Sequence, residues 1–349
     1  MKYIGYFAVG LVALLVVGIV TLWGGARMAL DETYAHTKAT AQLPFFADKQ
    51  ADGIVRIATA RGDFRARVAG FKSNVDRPLV VLLHGFPTTS VMWVDLIAPL
   101  ASAGYRVVAF DQRGYSPEIR PEAVNEYVVP RLVEDLFAVV ESVGGVQFHL
   151  VGHDWGAGVG WGAVLANPDR ILSWTPLSIA HPLAFQSALE TDPEQQSKSA
   201  YFALFVTPSV PEILFAFNSF SMLRDVLDGM SPEKMQEYID VFSEPGALTA
   251  ALNWYRASFA MQPPDGENQN GDVFVPTLFI WGNQDTAVGR KGTELMADYM
   301  QGPYSILELD AGHWLLSEKP EQVIEPVLAH IKRNDPSATQ WPAEGQENS

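Results

Sequence analysis

The segment Phe148-His149-Leu150-Val151-Gly152-His153-Asp154-Trp155-Gly156-Ala157-Gly158 constrains the fold more than any other stretch of the chain. An apolar strand passes without a spacer into small residues and then into a helix-like run. Glycines two places before and two places after Asp154 permit a tight, strained turn that lifts the central side chain above a sheet. Taken alone, the same residues also fit an aspartate that merely N-caps the following helix, a common use of Asp.

The rest of the chain supplies the sheet that such a turn needs. Short β-rich runs recur at Ile54–Ala60, Phe64–Ala69, Leu79–Leu83, Val107–Phe110, Phe148–Val151, Leu172–Ile179, Thr277–Trp281 and Ser305–Leu309. Several are continuously apolar, as in strands buried on both faces. Helix-like stretches alternate with them at Val91–Ala103, Glu126–Val143, Ala157–Ala166, Gly292–Met300 and Glu321–Lys332, the pattern of a mostly parallel α/β sheet. The alternation is interrupted over 182–270, a helix-like and aromatic stretch that reads as an inserted cap over the carboxyl ends of the strands. The expected organisation is therefore a core in two parts, 51–181 and 271–334, around that cap, with a polar stalk over 24–50 and a disordered tail over 335–349.

Residues 4–23 carry no charge, and a helix of that length matches the roughly 30 Å hydrocarbon core of a bilayer. A single-pass N-terminal transmembrane anchor is expected. Lys2 precedes the span and Asp31 and Glu32 follow it, which places the catalytic domain outside the cytoplasm by the positive-inside rule. Cleavage near Gly24-Gly25-Ala26, giving a secreted or periplasmic protein, is the alternative.

Charge and composition narrow the chemistry. Acids outnumber bases 40 to 24, for a formal net charge of −16, which argues against nucleic acid as a partner. With no cysteine, thiolate catalysis and Cys-ligated metal sites are excluded. A carboxylate at position 154 is suited to displacing a leaving group from saturated carbon, giving an alkyl-enzyme ester that must then be hydrolysed. Hydrolysis needs a general base and an oxyanion hole. His84-Gly85-Phe86-Pro87 follows the strand Leu79–Leu83, so the backbone amides of Phe86 and Trp155 are candidates for the hole. Asp285 ends one later strand and His313 another, giving the chain order nucleophile, acid, histidine of the α/β-hydrolase triad. Asp310 and Asp111 are the second and third candidates for the acid.

Four motifs together, His84-Gly85-Phe86-Pro87, Asp111-Gln112-Arg113-Gly114-Tyr115-Ser116, Gly152-His153-Asp154-Trp155-Gly156 and Gly312-His313-Trp314, resemble the soluble-type epoxide hydrolases of the α/β-hydrolase superfamily. The resemblance extends roughly from Ile54 to Ile331. It implies an α/β-hydrolase fold with an eight-stranded sheet and helical cap, no metal or organic cofactor, and a small apolar epoxide and water as partners. It also implies a pair of cap tyrosines as proton donors to the epoxide oxygen. Tyr201, at the head of Tyr-Phe-Ala-Leu-Phe, and Tyr255, within Asn253-Trp254-Tyr255-Arg256, match that pair. Trp155, Phe86 and Phe205 are the expected pocket residues. A haloalkane or haloacid dehalogenase would use the same nucleophile, but Phe86 has no side-chain donor for a halide and Trp155 no charge for a haloacid carboxylate. A non-catalytic, membrane-tethered ligand binder is a third reading.

Overall fold

The computed structural model describes residues 34–47, 49–73, 77–258 and 270–337. The segment 4–23 expected to cross a membrane lies outside them, and no single helix among the described residues is long and apolar enough to do so.

One sheet of eight strands organises the molecule: β1 (Gly53–Thr59), β2 (Gly62–Ala69), β3 (Leu79–Leu83), β4 (Arg106–Phe110), β5 (Phe148–His153), β6 (Ile171–Leu177), β7 (Thr277–Gly282) and β8 (Tyr304–Leu309). Their order is β1-β2-β4-β3-β5-β6-β7-β8. β2 runs antiparallel to both β1 and β4, and every other neighbouring pair is parallel. Each apolar run in the sequence falls on one of these strands, with ends that differ by at most two residues. The inner runs are continuous because both faces are covered: Leu79, Val81 and Leu83 of β3 enter one hydrophobic core, and Val80 and Leu82 enter the other. Val323, Val327 and Ile331 of the helix Pro320–Arg333 close the second.

Between β6 and β7 the chain forms the helices Pro182–Thr191, Pro193–Lys198, Tyr201–Phe205, Val210–Val226, Pro232–Phe242 and Ala247–Ser258. The fourth is broken at Phe217–Phe220, where Asn218, Ser219 and Phe220 take positive φ. Prolines open four of the six at the first helical position or next to it, where a missing N–H leaves no intrahelical bond unmade.

The helix Pro232–Phe242 is fastened to the sheet by charge. Glu237 accepts hydrogen bonds from Arg65 and Arg67 of β2, each at 3.0 Å from its Oε1, and from the Thr89 hydroxyl at 3.1 Å. Arg65 also donates to Asp111 at 2.7 Å. Both arginines are buried, so the cluster satisfies charges that would otherwise be stranded in the interior.

Two boundaries differ from the sequence expectation. Within the expected stalk, Ala35–Ala41 is a helix, and Thr37 donates from its amide and hydroxyl to the Glu244 carboxylate at 2.5 and 2.7 Å. His36 is buried beneath it, and Phe45 bridges to Arg56 of β1. This part of the stalk is thus docked on the body through contacts with residues far away in sequence. At the other end, the expected tail starts too early: Asp335 is buried and accepts hydrogen bonds from Tyr105 at 3.1 Å and Arg77 at 3.2 Å.

Candidate active site

The turn after β5 explains its own sequence. Asp154 sits at φ 52° and ψ −126°, a conformation that is strained for a residue with a side chain. A side-chain carbon on Gly152 would strike the Gly156 carbonyl, and one on Gly156 would strike the Leu83 carbonyl of β3. Both flanks therefore have to be glycine for the strand and helix to close on each other. The helix Trp155–Ala166 receives no side-chain cap from Asp154, which removes the N-cap reading. The carboxylate instead accepts the Phe86 amide on Oδ1 at 2.8 Å and lies beside the Trp155 amide.

The turn after β3 brings that Phe86 amide into place. Gly85 lies so close to Asp154 that any side chain there would overlap the carboxylate. Behind it, His84 accepts the Gln112 amide at 3.0 Å, and its carbonyl accepts the Gln112 side chain at 2.5 Å. Asp111 takes the Ser90 amide at 2.8 Å and the Arg65 guanidinium. Burial works against its charge, but Arg65 and Arg67 hold its carboxyl well below the usual range. Asp111 thus braces the turn and makes no contact with His313.

His313 follows β8 and reaches both carboxylates. Its Nδ1 lies 2.9 Å from Asp285 Oδ2 and 3.1 Å from Oδ1, while Nε2 lies 3.7 Å from Asp154 Oδ2. Asp310, the second candidate for the acid, is exposed and bonded to Gln284. Asp285 has every acceptor position in use, because Ala287 and Val288 donate backbone amides to Oδ1 at 2.7 and 3.0 Å.

Sequence reasoning missed the fourth member of this group. Ser178, immediately after β6 and at φ 72°, donates its hydroxyl to Asp285 Oδ2 at 2.7 Å and stands 3.1 Å from His313 Nδ1. The signal was its place: like Asp154 and Asp285, it follows the carboxyl end of a parallel strand. Lys198 was missed too, and its ammonium binds the Asp285 carbonyl. From the same helix, Gln195 bonds the Ala287 carbonyl and the Gly289 amide, bracing the loop after β7.

The electrostatics follow from burial and pairing. Burial raises the Asp154 carboxyl above its ordinary value, opposed by His313 and by the Trp155 and Phe86 amides. Burial also disfavours charge on Asp285, yet His313, Ser178 and the Ala287 amide bring it down to about 2. For His313 the desolvation is outweighed by Asp285 and then Asp154, which raise it to about 9. Standing between Asp285 and Asp154, His313 is thus biased toward its imidazolium form. His153, whose Nε2 lies 2.9 Å from the His313 carbonyl, is lowered to about 3 by burial and by His313, and stays neutral.

A cavity of about 1300 Å³ opens above Asp154, lined by Trp155, Tyr201, Phe202 and Tyr255 among mostly apolar neighbours. Tyr201 begins its helix and Tyr255 lies near the end of Ala247–Ser258, with ring centroids 6.2 Å apart. Burial, followed by the Asp154 carboxylate for Tyr201 and by the Tyr201 phenol and then Asp154 for Tyr255, pushes both phenols well above their ordinary pKa. The Trp155 indole is a hydrogen-bonding neighbour of the Tyr255 hydroxyl. Of the expected pocket residues, Trp155 lines the cavity, whereas Phe86 and Phe205 stand one layer behind, packed on the Tyr255 ring at 5.4 and 5.0 Å. The amide of Phe86 faces Asp154, and its ring turns into that aromatic cluster. Among the described residues, no group of three His, Asp or Glu is arranged to hold a metal ion.

A sheet in this strand order, with two carboxylates and a histidine gathered at the ends of β5, β7 and β8, defines an α/β-hydrolase. Residues 78–320 match the family model described as the alpha/beta hydrolase fold. Relatives in sequence include AB hydrolase superfamily protein YfhM of Bacillus subtilis, 34% identical over 74% of this chain and 91% of that protein. Epoxide hydrolase 3 of Xenopus tropicalis is 30% identical over 81% of this chain and 78% of its own length, and epoxide hydrolase A of Mycobacterium tuberculosis is 31% identical over 73% and 90%. In structure, the chain is similar to the Bacillus megaterium epoxide hydrolase, with a TM-score of 0.71 and 26% identity, covering 79% of this chain and 99% of that one. The chain belongs to the epoxide hydrolase family of the α/β-hydrolase superfamily and is a hydrolase.

Proposed function

We propose that the chain opens an apolar epoxide to a vicinal diol through an ester on Asp154. One observation carries this reading: two neutral phenols, Tyr201 and Tyr255, line the same cavity as the Asp154 carboxylate. Oδ2 of Asp154, the oxygen not held by Phe86, attacks one oxirane carbon, and that carbon's bond to oxygen breaks. The departing alkoxide takes a proton from a tyrosine, a transfer that general-acid catalysis needs because alkoxide leaves poorly. Phenols held well above their ordinary pKa stay protonated through the assay range and serve as donors. A halide leaving group would need no such donor, and the Trp155 indole that could cradle one is a neighbour of the Tyr255 hydroxyl.

Ester formation cancels the Asp154 charge and leaves a tyrosinate. One of the two carboxylates holding the His313 proton is thereby lost, so that proton passes through solvent to the tyrosinate, and the neutral imidazole is freed to act as a base. Neutral His313 takes a proton from water, whose oxygen attacks the ester carbonyl carbon. The Phe86 and Trp155 amides receive the oxyanion. Collapse breaks the bond from the carbonyl carbon to the diol oxygen, which takes the proton His313 had removed from water; the regenerated Asp154 carboxyl then passes its proton to His313, restoring the resting state. Asp285 holds the ring in orientation and supports its charge.

Incubation with a panel of apolar epoxides, read as diol by mass spectrometry, tests the reaction. Absence of diol from every epoxide, with halide released from a haloalkane instead, overturns it. For location, we propose that residues 4–23 anchor the chain, with the catalytic domain outside the cytoplasm, on the strength of their uncharged length. Recovery of the intact chain in a carbonate-washed membrane fraction supports the anchor; recovery in soluble form, shortened near Ala26, refutes it.

A further inference from the structure

Glycine occupies positions 152, 156, 158, 160 and 162 around the elbow. Four of the five are demanded by their neighbours. Besides the two flanks of Asp154, a side-chain carbon on Gly160 would strike the Trp174 indole, and one on Gly162 would come within 2.7 Å of Val129. Gly158 is different. Apart from its chain neighbours and the backbone of its own helix, the nearest described atom to such a carbon would be the edge of the Trp155 ring at 3.7 Å, an ordinary contact, and Gly158 has no positive φ. Neither packing nor conformation calls for glycine there, and the helix interior would be more stable with alanine. Gly158 lines the cavity one turn beyond the nucleophile, its amide donating to the Asp154 carbonyl at 3.1 Å.

We infer that Gly158 is a specificity-determining position, whose missing side chain leaves a path for a substituent running from the attacked carbon along the outer face of the helix Trp155–Ala166. The inference rests on the epoxide reading for what that substituent is attached to. Gly162, Leu165 and Ala166 continue the same wall as far as Pro168, and a helix of 12 residues is about 18 Å long. A leucine at 158 stands across that path, so that only substituents ending before it fit.

Calorimetric titration with the vicinal diols of dodecane and hexane reads the path whether or not any epoxide is turned over. The wild-type chain is expected to bind the dodecane diol, and Gly158→Leu to bind it at least about tenfold more weakly, the affinity carried by about two buried methylene groups. The hexane diol should lose less than about half as much on the logarithmic scale. Gly158→Ala should raise Tm by about 2 °C, showing that the glycine serves no packing need. Failure of the wild-type chain to bind the dodecane diol, equal binding by the leucine variant, or equal losses for both diols overturns the inference. If the diol binds as expected but none is formed from dodecene oxide, the epoxide reading fails and the role of Gly158 in admitting long ligands stands.

Discussion

The carboxylate corner and the tyrosine corner of the site are built by different means. Asp154 is fixed by backbone: a strained φ, the Phe86 amide, and glycines at 85, 152 and 156 that leave no alternative path. Tyr201 and Tyr255 are fixed by rings: Phe202 and Phe205 contact both, and Phe86 and Trp155 add to the packing of Tyr255, in edge-to-face pairs of about 5 Å. Backbone construction is all-or-none, because a strained turn either closes or does not. Ring construction is graded, since one aromatic can replace another at small energetic cost. Damage to the first corner should therefore be absolute and damage to the second partial.

The largest effect is expected at the nucleophile. Asp154→Ala should lower turnover by more than about 10³-fold while leaving Tm nearly unchanged, as shown by product assay alongside calorimetry. His313→Gln should let the ester form and stop its hydrolysis, so the intact protein gains the mass of one substrate. Normal turnover by this variant would place the base elsewhere. At the tyrosine corner, Tyr255→Phe should lower kcat by about 10²-fold, keeping the ring and removing only its donor, with Tyr201→Phe behaving similarly. The double variant should lose more than either single one, and a loss as complete as that of Asp154→Ala would erase the contrast between the corners.

Asp285→Asn sharpens the contrast through pH. His313 is raised to about 9 in the folded chain, so the stability it gains from the carboxylates is fully present below its unfolded value of 6.5 and is lost as pH rises through about 9. Asp285, held at about 2, contributes above its unfolded 3.8 and loses that contribution as pH falls through about 2. The Tm advantage of wild type over Asp285→Asn should therefore be greatest between pH 3.8 and 6.5 and shrink toward both ends, followed by thermal melts across the range. The smallest effect belongs to Ser178→Ala. Loss of one hydrogen bond to a charged group should lower kcat by about tenfold, with the acidic limb of the pH profile displaced upward as Asp285 loses a donor. An unchanged profile would make Ser178 a packing residue.

What could be read from sequence divides along the same line. The inner strands were legible because burial on both faces writes itself as continuous apolar runs, while β1 and β8, partly exposed, were legible by β-rich composition. The contact of Asp154, Asp285 and His313 was legible because each ends a strand of a parallel sheet, which brings distant residues to one edge. Asp285 was ranked ahead of Asp310 and Asp111 by chain order, and the distances to His313 set it there. The tyrosines were visible only by family resemblance, since nothing local separates them from other buried aromatics. Phe86 and Phe205 were assigned to the cavity because composition does not tell which way a ring turns. The docked helix Ala35–Ala41 and buried Asp335 were illegible for another reason: their partners, Glu244, Tyr105 and Arg77, lie hundreds of residues away.

The cluster of Glu237 with Arg65 and Arg67 bears on which parts of the cap can move. Swinging the helix Pro232–Phe242 away from the sheet would leave two guanidiniums without their shared carboxylate, at a penalty on the order of 3–5 kcal/mol. That helix is riveted to the sheet and does not swing as a hinged door. The cavity is lined without any residue of that helix, and Glu134, Pro168 and Phe274 are exposed members of its wall. Amide exchange in Pro232–Phe242 should be slow and indifferent to turnover.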